Sequence, residues 1–349
     1  MHTRHWSAVV ACVCVGAVWS LAAQSKAPSY HPGKTIEIGT EGGWDYASVD
    51  PEAHRLYVTH GTQVVVIDTT TDKVVGTIAD TPGVHGFAIA HDLGKGFASN
   101  GRENKVSIVD LKTLATTSKV ETGENPDAIM YEPGKQEVYA FNGRGKSATV
   151  IDAKTGKVVA TIPLDGKPEF AQTDSKAGKV FVNIEDKNTI AVIDTASHQV
   201  TATWPIAPGE EASGMAIDLA HHRLFIGCSN KLMEMIDNTS GKVAGRVPIE
   251  SGVDANAFDP QTLFAFSSNG AGTITVAHED SPDKLTVVQT IKTQRGVRTM
   301  TIDPGTHKLY AAAVEYEPAP PPAAGAPAGT PAARPKAVAG SFKVLVFEP

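Results

Sequence analysis

A unit of about 42 residues recurs along the chain, and it limits the possible folds more than any other feature. Its cleanest copy runs from Asp127 to Pro168, DAIMYEPGKQEVYAFNGRGKSATVIDAKTGKVVATIPLDGKP. Four strand-like runs lie in it: AIMYE, EVYAF, SATVID and KVVATI. Each is short and rich in β-branched and aromatic residues, and the breaks carry Gly, Pro, Asp or Lys. No helix-period stretch intervenes. Four strands in a period of roughly 40–45 residues mark propeller blades, small sheets that bury their faces only against neighbouring blades. The expected fold is all-β, a seven-bladed β-propeller of four-stranded antiparallel blades.

Three landmarks set the register of each copy: a polar residue opening the inner strand, a turn position five residues on, and a strand aromatic seven beyond that. The turn positions are Asp50, Ala90, Glu132, Asp174, Asp218, Asp259 and Asp303. Tyr57, Phe97, Tyr139, Phe181, Phe225 and Tyr310 follow at plus seven, and a shorter turn in the sixth copy is expected to give Phe264. The third strand ends at Asp68, Asp110, Asp152, Asp194 and Asp237, with His278 and Glu348 in the last two copies. A recurring Asp there is a turn-closing device. His54, His222 and His307, in HRLY, HRLF and HKLY, also repeat and are read as scaffold.

The chain stops at Pro349 after only three strands of the seventh blade. KTIEIG, Lys34 to Gly39, matches the outer strands KVVGTI and KVVATI, so it is expected to pair with Phe342–Phe347 and close the ring. Residues 317–340, EPAPPPAAGAPAGTPAARPKAVAG, interrupt that blade. With almost no apolar bulk, they are expected to form an extended loop. They would be either a tolerated surface insertion or a flap or partner tether over the channel-mouth face.

The first 23 residues combine Arg4, an apolar run and small residues at Ser20, Ala22 and Ala23, the pattern of a cleaved secretory signal. The expected mature protein is a single periplasmic or secreted domain, residues 24–349, a monomer without a membrane span. Losing the leader removes one Arg and no acid, taking the net charge from −7 to −8, which disfavours a polyanionic partner. Cys12 and Cys14 leave with the leader. Cys228 remains without a disulfide partner and is expected to be buried and inert.

What recurs in a propeller is scaffold; what varies between blades is free to serve a ligand. The residues five before each turn are Asp45, His85, Asp127, Glu169, Ser213, Asp254 and Arg298, one per blade at the channel mouth. Like charges held close in a partly dry channel raise each other's pKa or recruit a cation. Asp45, Asp127, Glu169 and Asp254 suit a hard cation such as Ca2+, and the single His argues against a structural zinc. A solvated channel wall is the other reading. The neighbouring loops add His60, Asn100 with Arg102, Asn142 with Arg144, and Asn269. Asn-Gly there is a tight-turn signal, and the two Arg would hold a carboxylate or phosphate. Trp44, beside Asp45, would stack on a ligand or pack under the first blade.

DPEAHRLYVTH, GKVFVNIEDKNTIAVID and HHRLFIGCSN resemble the YVTN-repeat β-propellers of secreted bacterial proteins, a WD40-like seven-bladed group. The resemblance covers the chain from about residue 30 onward, apart from the Pro/Ala insertion. It implies the propeller fold and a range of roles that includes adhesion, nucleic-acid binding and cofactor-containing relatives. Val-Thr-His60, Ala-Ser-Asn100 and Ala-Phe-Asn142 stand at the name motif, so its Asn is missing from the first blade and, on this register, from blades four to seven.

No Gly-x-Ser-x-Gly, His-Glu-x-x-His or Cys-x-x-Cys occurs, and Gly145-Lys146-Ser147 lacks the first glycine of a phosphate loop. The leading expectation is a non-catalytic propeller binding a small polar ligand or a protein at the channel mouth. The alternative is a metal-dependent hydrolase of lactonase type, with His85 as base and Arg298 or Arg102 orienting the product. Single-stranded nucleic-acid binding is a third reading, weakened by the negative charge.

Overall fold

The computed structural model describes His2 and residues 29–40, 42–318 and 335–349. Apart from His2, the expected leader lies outside the described residues, as do positions 319–334 of the insertion.

Seven four-stranded antiparallel sheets form the chain. In blades 1 to 6 the strands follow one another outward in sequence order, starting from inner strands Trp44–Asp50, Val84–Ala90, Pro126–Glu132, Pro168–Asp174, Ala212–Asp218 and Val253–Asp259. Blade 7 contains Met300–Asp303, Lys308–Ala313 and Lys343–Glu348, and its outer strand is the N-terminal His31–Glu37. The ring is therefore closed by the N-terminal strand. Thr35 pairs with Leu345, Ile36 with Val344 and Glu37 with Lys343, and the Ile38 and Gly39 N–H groups donate to the Phe342 carbonyl. Pairing begins before Lys34, at His31. Tyr30 adds an anchor to blade 6, its ring edge-on to Phe266 at 5.3 Å and its hydroxyl donating to the His307 carbonyl at 3.0 Å.

The core lies between blades, because each sheet is too small to cover its own faces. At the closure seam, Ile36, Leu56, Val58, Val65 and Ile67 pack with Tyr310, Phe342, Val344 and Val346. Between blades 1 and 2, Tyr57 of one stacks on Phe87 of the other at 4.7 Å, and Phe225 meets Phe258 in the same way between blades 5 and 6, at 4.9 Å.

The register corrects one expectation. Asp259 pairs with Phe264 as Asp218 does with Arg223, so the sixth turn is not shortened. The aromatic at plus seven is Phe266, opposite Ala257, while Phe264 takes the place of Arg55 and Arg223. With the register restored, Asn269 falls in line with Asn100 and Asn142.

The repeated Asp residues act as turn closers. Oδ1 of Asp68, Asp110, Asp152, Asp194 and Asp237 accepts from a following backbone N–H and a Thr or Ser hydroxyl at 2.6–3.0 Å. His54, His222 and His307 hold positive φ in the opposite-face turns. Cys228 is free and buried, and burial pushes its thiol up to about 12. The described ends of the insertion pair with each other, Glu317 N–H donating to Lys336 and Val338 N–H to Glu315. No helix among the described residues is long and apolar enough to cross a membrane.

Deleting residues 30–40 removes the outer strand of blade 7 and exposes one side of the closure seam. Burial of Tyr30 and Ile36 alone contributes about 1.5–3 kcal/mol each. The deletion is expected to lower Tm and promote aggregation in a thermal melt followed by light scattering; an unchanged Tm would contradict the role given to the seam.

Candidate functional site at the channel mouth

The inner strands of blades 1 to 6 leave the ladder near the channel mouth. Register shifts fall between Trp44 and Ala47, Val84 and Phe87, Pro126 and Ile129, Pro168 and Ala171, Ala212 and Met215, and Val253 and Ala255. A bulge frees a residue from pairing and re-aims its side chain. The positions freed here include Asp45, His85, Asp127, Glu169, Ser213 and Asp254. Arg298 precedes the short inner strand of blade 7.

Bulged backbone still needs hydrogen-bond partners. Polar residues in otherwise apolar second strands, and Thr299 just before the inner strand of blade 7, supply them. The Thr59 hydroxyl accepts from Tyr46 N–H at 3.1 Å and donates to the Tyr46 carbonyl at 3.0 Å. The Ser99 hydroxyl accepts from Gly86 N–H at 2.8 Å and donates to the Asp127 carbonyl of the next blade at 2.6 Å. Asn183 donates to the Ser213 carbonyl at 2.8 Å, Ser268 to the Arg298 carbonyl, and Thr299 to the Asp45 carbonyl at 2.6 Å. The backbone of the mouth is thus tied from blade to blade. The sequence signal for this, a polar residue two places after the strand aromatic, is visible in Thr59, Ser99, Asn183 and Ser268.

The charged side chains fall into three groups. His85 Nδ1 lies 2.6 Å from Asp45 Oδ2 and 3.5 Å from Asp127 Oδ1, so one imidazole bridges two carboxylates. Glu169 Oε1 is 2.5 Å from Lys167 Nζ, which also donates to Glu185 Oε2 at 2.6 Å. Asp254 Oδ1 is 3.5 Å from Arg298 Nη1. Of the four proposed cation ligands, only Asp45 and Asp127 converge with His85, while Glu169 and Asp254 are drawn toward basic partners. Lys167 and Glu185 were not singled out from the sequence; Lys167 stands two residues before the mouth position of its own blade.

Burial dominates the electrostatics. It pushes Asp254 up to about 7, against the pull of Arg298 and with the help of Asp45 and Asp127. Asp127 and Glu169 are raised for the same reason, Asp127 held back by His85 and Glu169 pushed further by Asp127. Burial alone would lower His85, but its hydrogen bond to Asp45 and the charges of Asp127, Asp45 and Glu169 raise it. The ring carboxyls keep their protons to higher pH than solvated carboxyls do.

Below the ring, Tyr46 of blade 1 and Phe170 of blade 4 meet across the channel with centroids 4.5 Å apart. They form a floor that the sequence reading did not foresee. On its far side a cavity of about 440 Å³ continues along the axis, lined by Ser48, Phe87, Met130, Gln172, Phe258 and others. A second cavity, of about 600 Å³, lies above blades 6, 7 and 1 between Trp44, Arg298 and Tyr316, the last at the base of the insertion.

The loop residues are placed differently. His60 is buried flat against Phe342 with centroids 3.8 Å apart, and burial lowers its pKa. Asn100 donates to Glu103 and Ser107, and Asn142 to Ser147 and Thr149, each fully buried inside its own hairpin. Trp44 packs on Phe342 at 5.6 Å in the closure seam. Arg102 is exposed and covers Gly83, and Arg144 is exposed 4.0 Å from Glu124. The Asn-Gly pairs are not left-handed turns at their glycines; positive φ falls instead at Asn104, Lys146 and Gly272. Gly101 has a different use, since a Cβ there would stand 2.6 Å from His85 Nε2.

No family model matches the chain, and no curated protein matches it at a significant level. Solved structures do match. A chain of the Kuenenia stuttgartiensis hydrazine synthase superposes with TM-score 0.67 at 18% identity, covering 80% of this chain and 94% of that one. The RRP9 WD40 repeats give 0.71 at 10% identity over 80% and 89% of the two chains. A chain of the mitotic checkpoint complex gives 0.71 at 13% identity over 87% and 95%. At these identities the likeness is one of fold: the chain shares the closed ring of WD40-repeat propellers.

A carboxyl whose folded pKa lies above its unfolded value holds its proton more tightly in the native state. The ring therefore loses stability as pH rises from about 4 through about 7, the range set by Asp254. Asp254→Asn is expected to flatten the fall of Tm between pH 4 and 7, by a few kcal/mol of stability at most. Parallel pH profiles for wild type and variant would exclude this.

Proposed function

We propose that this protein is an exported, non-catalytic propeller of the YVTN-repeat kind, and that its channel mouth binds the cationic part of a polar ligand or a divalent cation such as Ca2+. The observation that carries this reading is the charge balance of the mouth. Among the described residues, the acids Asp45, Asp127, Glu169, Glu185 and Asp254 outnumber their basic partners Lys167, Arg298 and His85 by two, an excess that burial meets by holding protons on Asp127, Glu169 and Asp254 and that a bound cation would meet in their place. A focused negative field over a partly dry floor attracts cations and repels polyanions, which weakens the nucleic-acid reading. Asp45 and Asp127 supply the nearest pair of oxygens, and displacing the His85 proton from between them opens the site. Export rests on the leader pattern of residues 1–23, and the YVTN kinship on Asn100, Asn142 and Asn269 at the motif position in three of the seven blades. In the hydrolase reading Asp45 would orient His85 through Nδ1, and Nε2, beside Gly101, would be the base, an arrangement that needs a nucleophile or a metal-bound water at Nε2.

Calorimetric titration of the mature protein with Ca2+ is the test, beside Asp127→Asn/Glu169→Gln and Asp45→Asn/Asp127→Asn. Wild type is expected to bind one ion, and both double variants to bind at least roughly tenfold more weakly, about 1.4 kcal/mol. If Ca2+ and a simple diamine both fail to bind wild type, the reading falls.

A further inference from the structure

A second cluster of ionisable side chains lies on the face opposite the mouth, between blades 5 and 6. Asp218 ends the inner strand of blade 5, His221 stands in the turn after it, and Glu279 comes from the third strand of blade 6. Glu279 follows His278, which replaces the turn-closing Asp, and its counterparts in blades 1 to 5 are Thr69, Leu111, Ala153, Thr195 and Asn238. The acid is therefore peculiar to this seam and not part of the repeat.

His221 Nδ1 is 2.7 Å from Asp218 Oδ2 and 3.4 Å from Glu279 Oε1, and one donor atom from each residue lies within 4.8 Å of the others. The Asp218 and Glu279 side chains are 2% and 0% exposed, while that of His221 is 37% exposed. Both Glu279 oxygens are buried without a hydrogen-bond partner among the described residues. The charged groups that face the Glu279 carboxyl are Asp218, His221 and Arg223. Arg223 is committed elsewhere, to Asp237 at 2.8 Å and to the Pro282 carbonyl. Elsewhere on this face a buried acid has a simpler partner: Asp50 has His91 at 2.8 Å and Asp259 has His307 at 2.6 Å. Two buried carboxylates that share one imidazole are satisfied either by a proton held between them or by a further positive charge.

We propose that Asp218, His221 and Glu279 bind a divalent transition-metal ion of the zinc class that joins blade 5 to blade 6. One imidazole nitrogen and two carboxylates, with water as a fourth ligand, lie within the donor range of zinc, as do the same donor types of Asp45, His85 and Asp127 at the mouth, and they fall short of the six or more oxygens that calcium takes. Donors about 2.1 Å from a tetrahedral ion stand roughly 3.4 Å apart. The His221–Glu279 separation meets that spacing, and the His221–Asp218 separation of 2.7 Å must open to it. The exposed side of His221 provides the entry path and leaves a fourth position to water.

The test is independent of the mouth. Chelator-treated full-length protein is titrated with Zn2+ by calorimetry and with Co2+ by visible absorption, alongside Glu279→Gln, His221→Ala and the mouth variant Asp45→Asn/Asp127→Asn. Expected results are one zinc equivalent that raises Tm, a Co2+ absorption band, and at least roughly tenfold weaker binding in both seam variants. The mouth variant should retain this binding. Because His221 is partly exposed, His221→Ala keeps the test valid even if Glu279→Gln misfolds. Zinc affinity unchanged in His221→Ala overturns the proposal. So does an absence of zinc binding together with a higher Tm in Glu279→Gln, which would mark the two carboxyls as sharing a proton.

Discussion

A four-stranded blade cannot bury its own faces, and the rest of the structure follows from that constraint. Every core cluster spans a seam between neighbouring blades, so the seventh seam must be closed as tightly as the other six. Closure falls to His31–Glu37, hydrogen-bonded to Lys343–Glu348, with Tyr30 extending the hold to blade 6. His60 is drawn into this seam by Phe342, whereas Trp44 packs on Phe342 and also lines the cavity beside Arg298.

The same ring geometry creates the candidate site. Strands that converge on an axis must leave the ladder at the mouth, and the bulges do so at the cost of unpaired backbone groups. Thr59, Ser99, Asn183, Ser268 and Thr299 satisfy these groups, several of them across a blade boundary. Scaffold and site are thereby coupled: the hydrogen bonds that join neighbouring blades also fix the positions of Asp45, Asp127, Ser213 and Arg298. With the Tyr46–Phe170 floor beneath it, the ring is held in a partly desolvated setting where its carboxylates shed charge readily.

Both faces of the propeller collect acids, by different means. At the mouth they differ from blade to blade and are partly balanced by Lys167, Arg298 and His85. On the opposite face they belong to the recurring turn position and are satisfied by turn N–H groups or a histidine, as Glu132 is by Gly134 and Lys135. The seam between blades 5 and 6 departs from that pattern through Glu279 alone.

The sequence by itself determined the blade count, the strand order, the closing strand and the identity of the seven mouth positions. Repeat period and strand alternation are local properties, and a ring multiplies them seven times, so a local reading sufficed. It misplaced Phe264 because two aromatics two residues apart satisfy the same pattern, and only pairing with Ala257 selects Phe266. The tertiary structure alone decided which mouth residues meet. Asp45, His85 and Asp127 converge, Glu169 turns to Lys167 and Glu185, and Tyr46 reaches Phe170 from three blades away. The Lys167 contacts stay within blade 4, but the Asp45–His85 and Tyr46–Phe170 contacts join residues 40 and 124 positions apart, and their distances depend on the bulges and on the curvature of the closed ring, which no single repeat encodes.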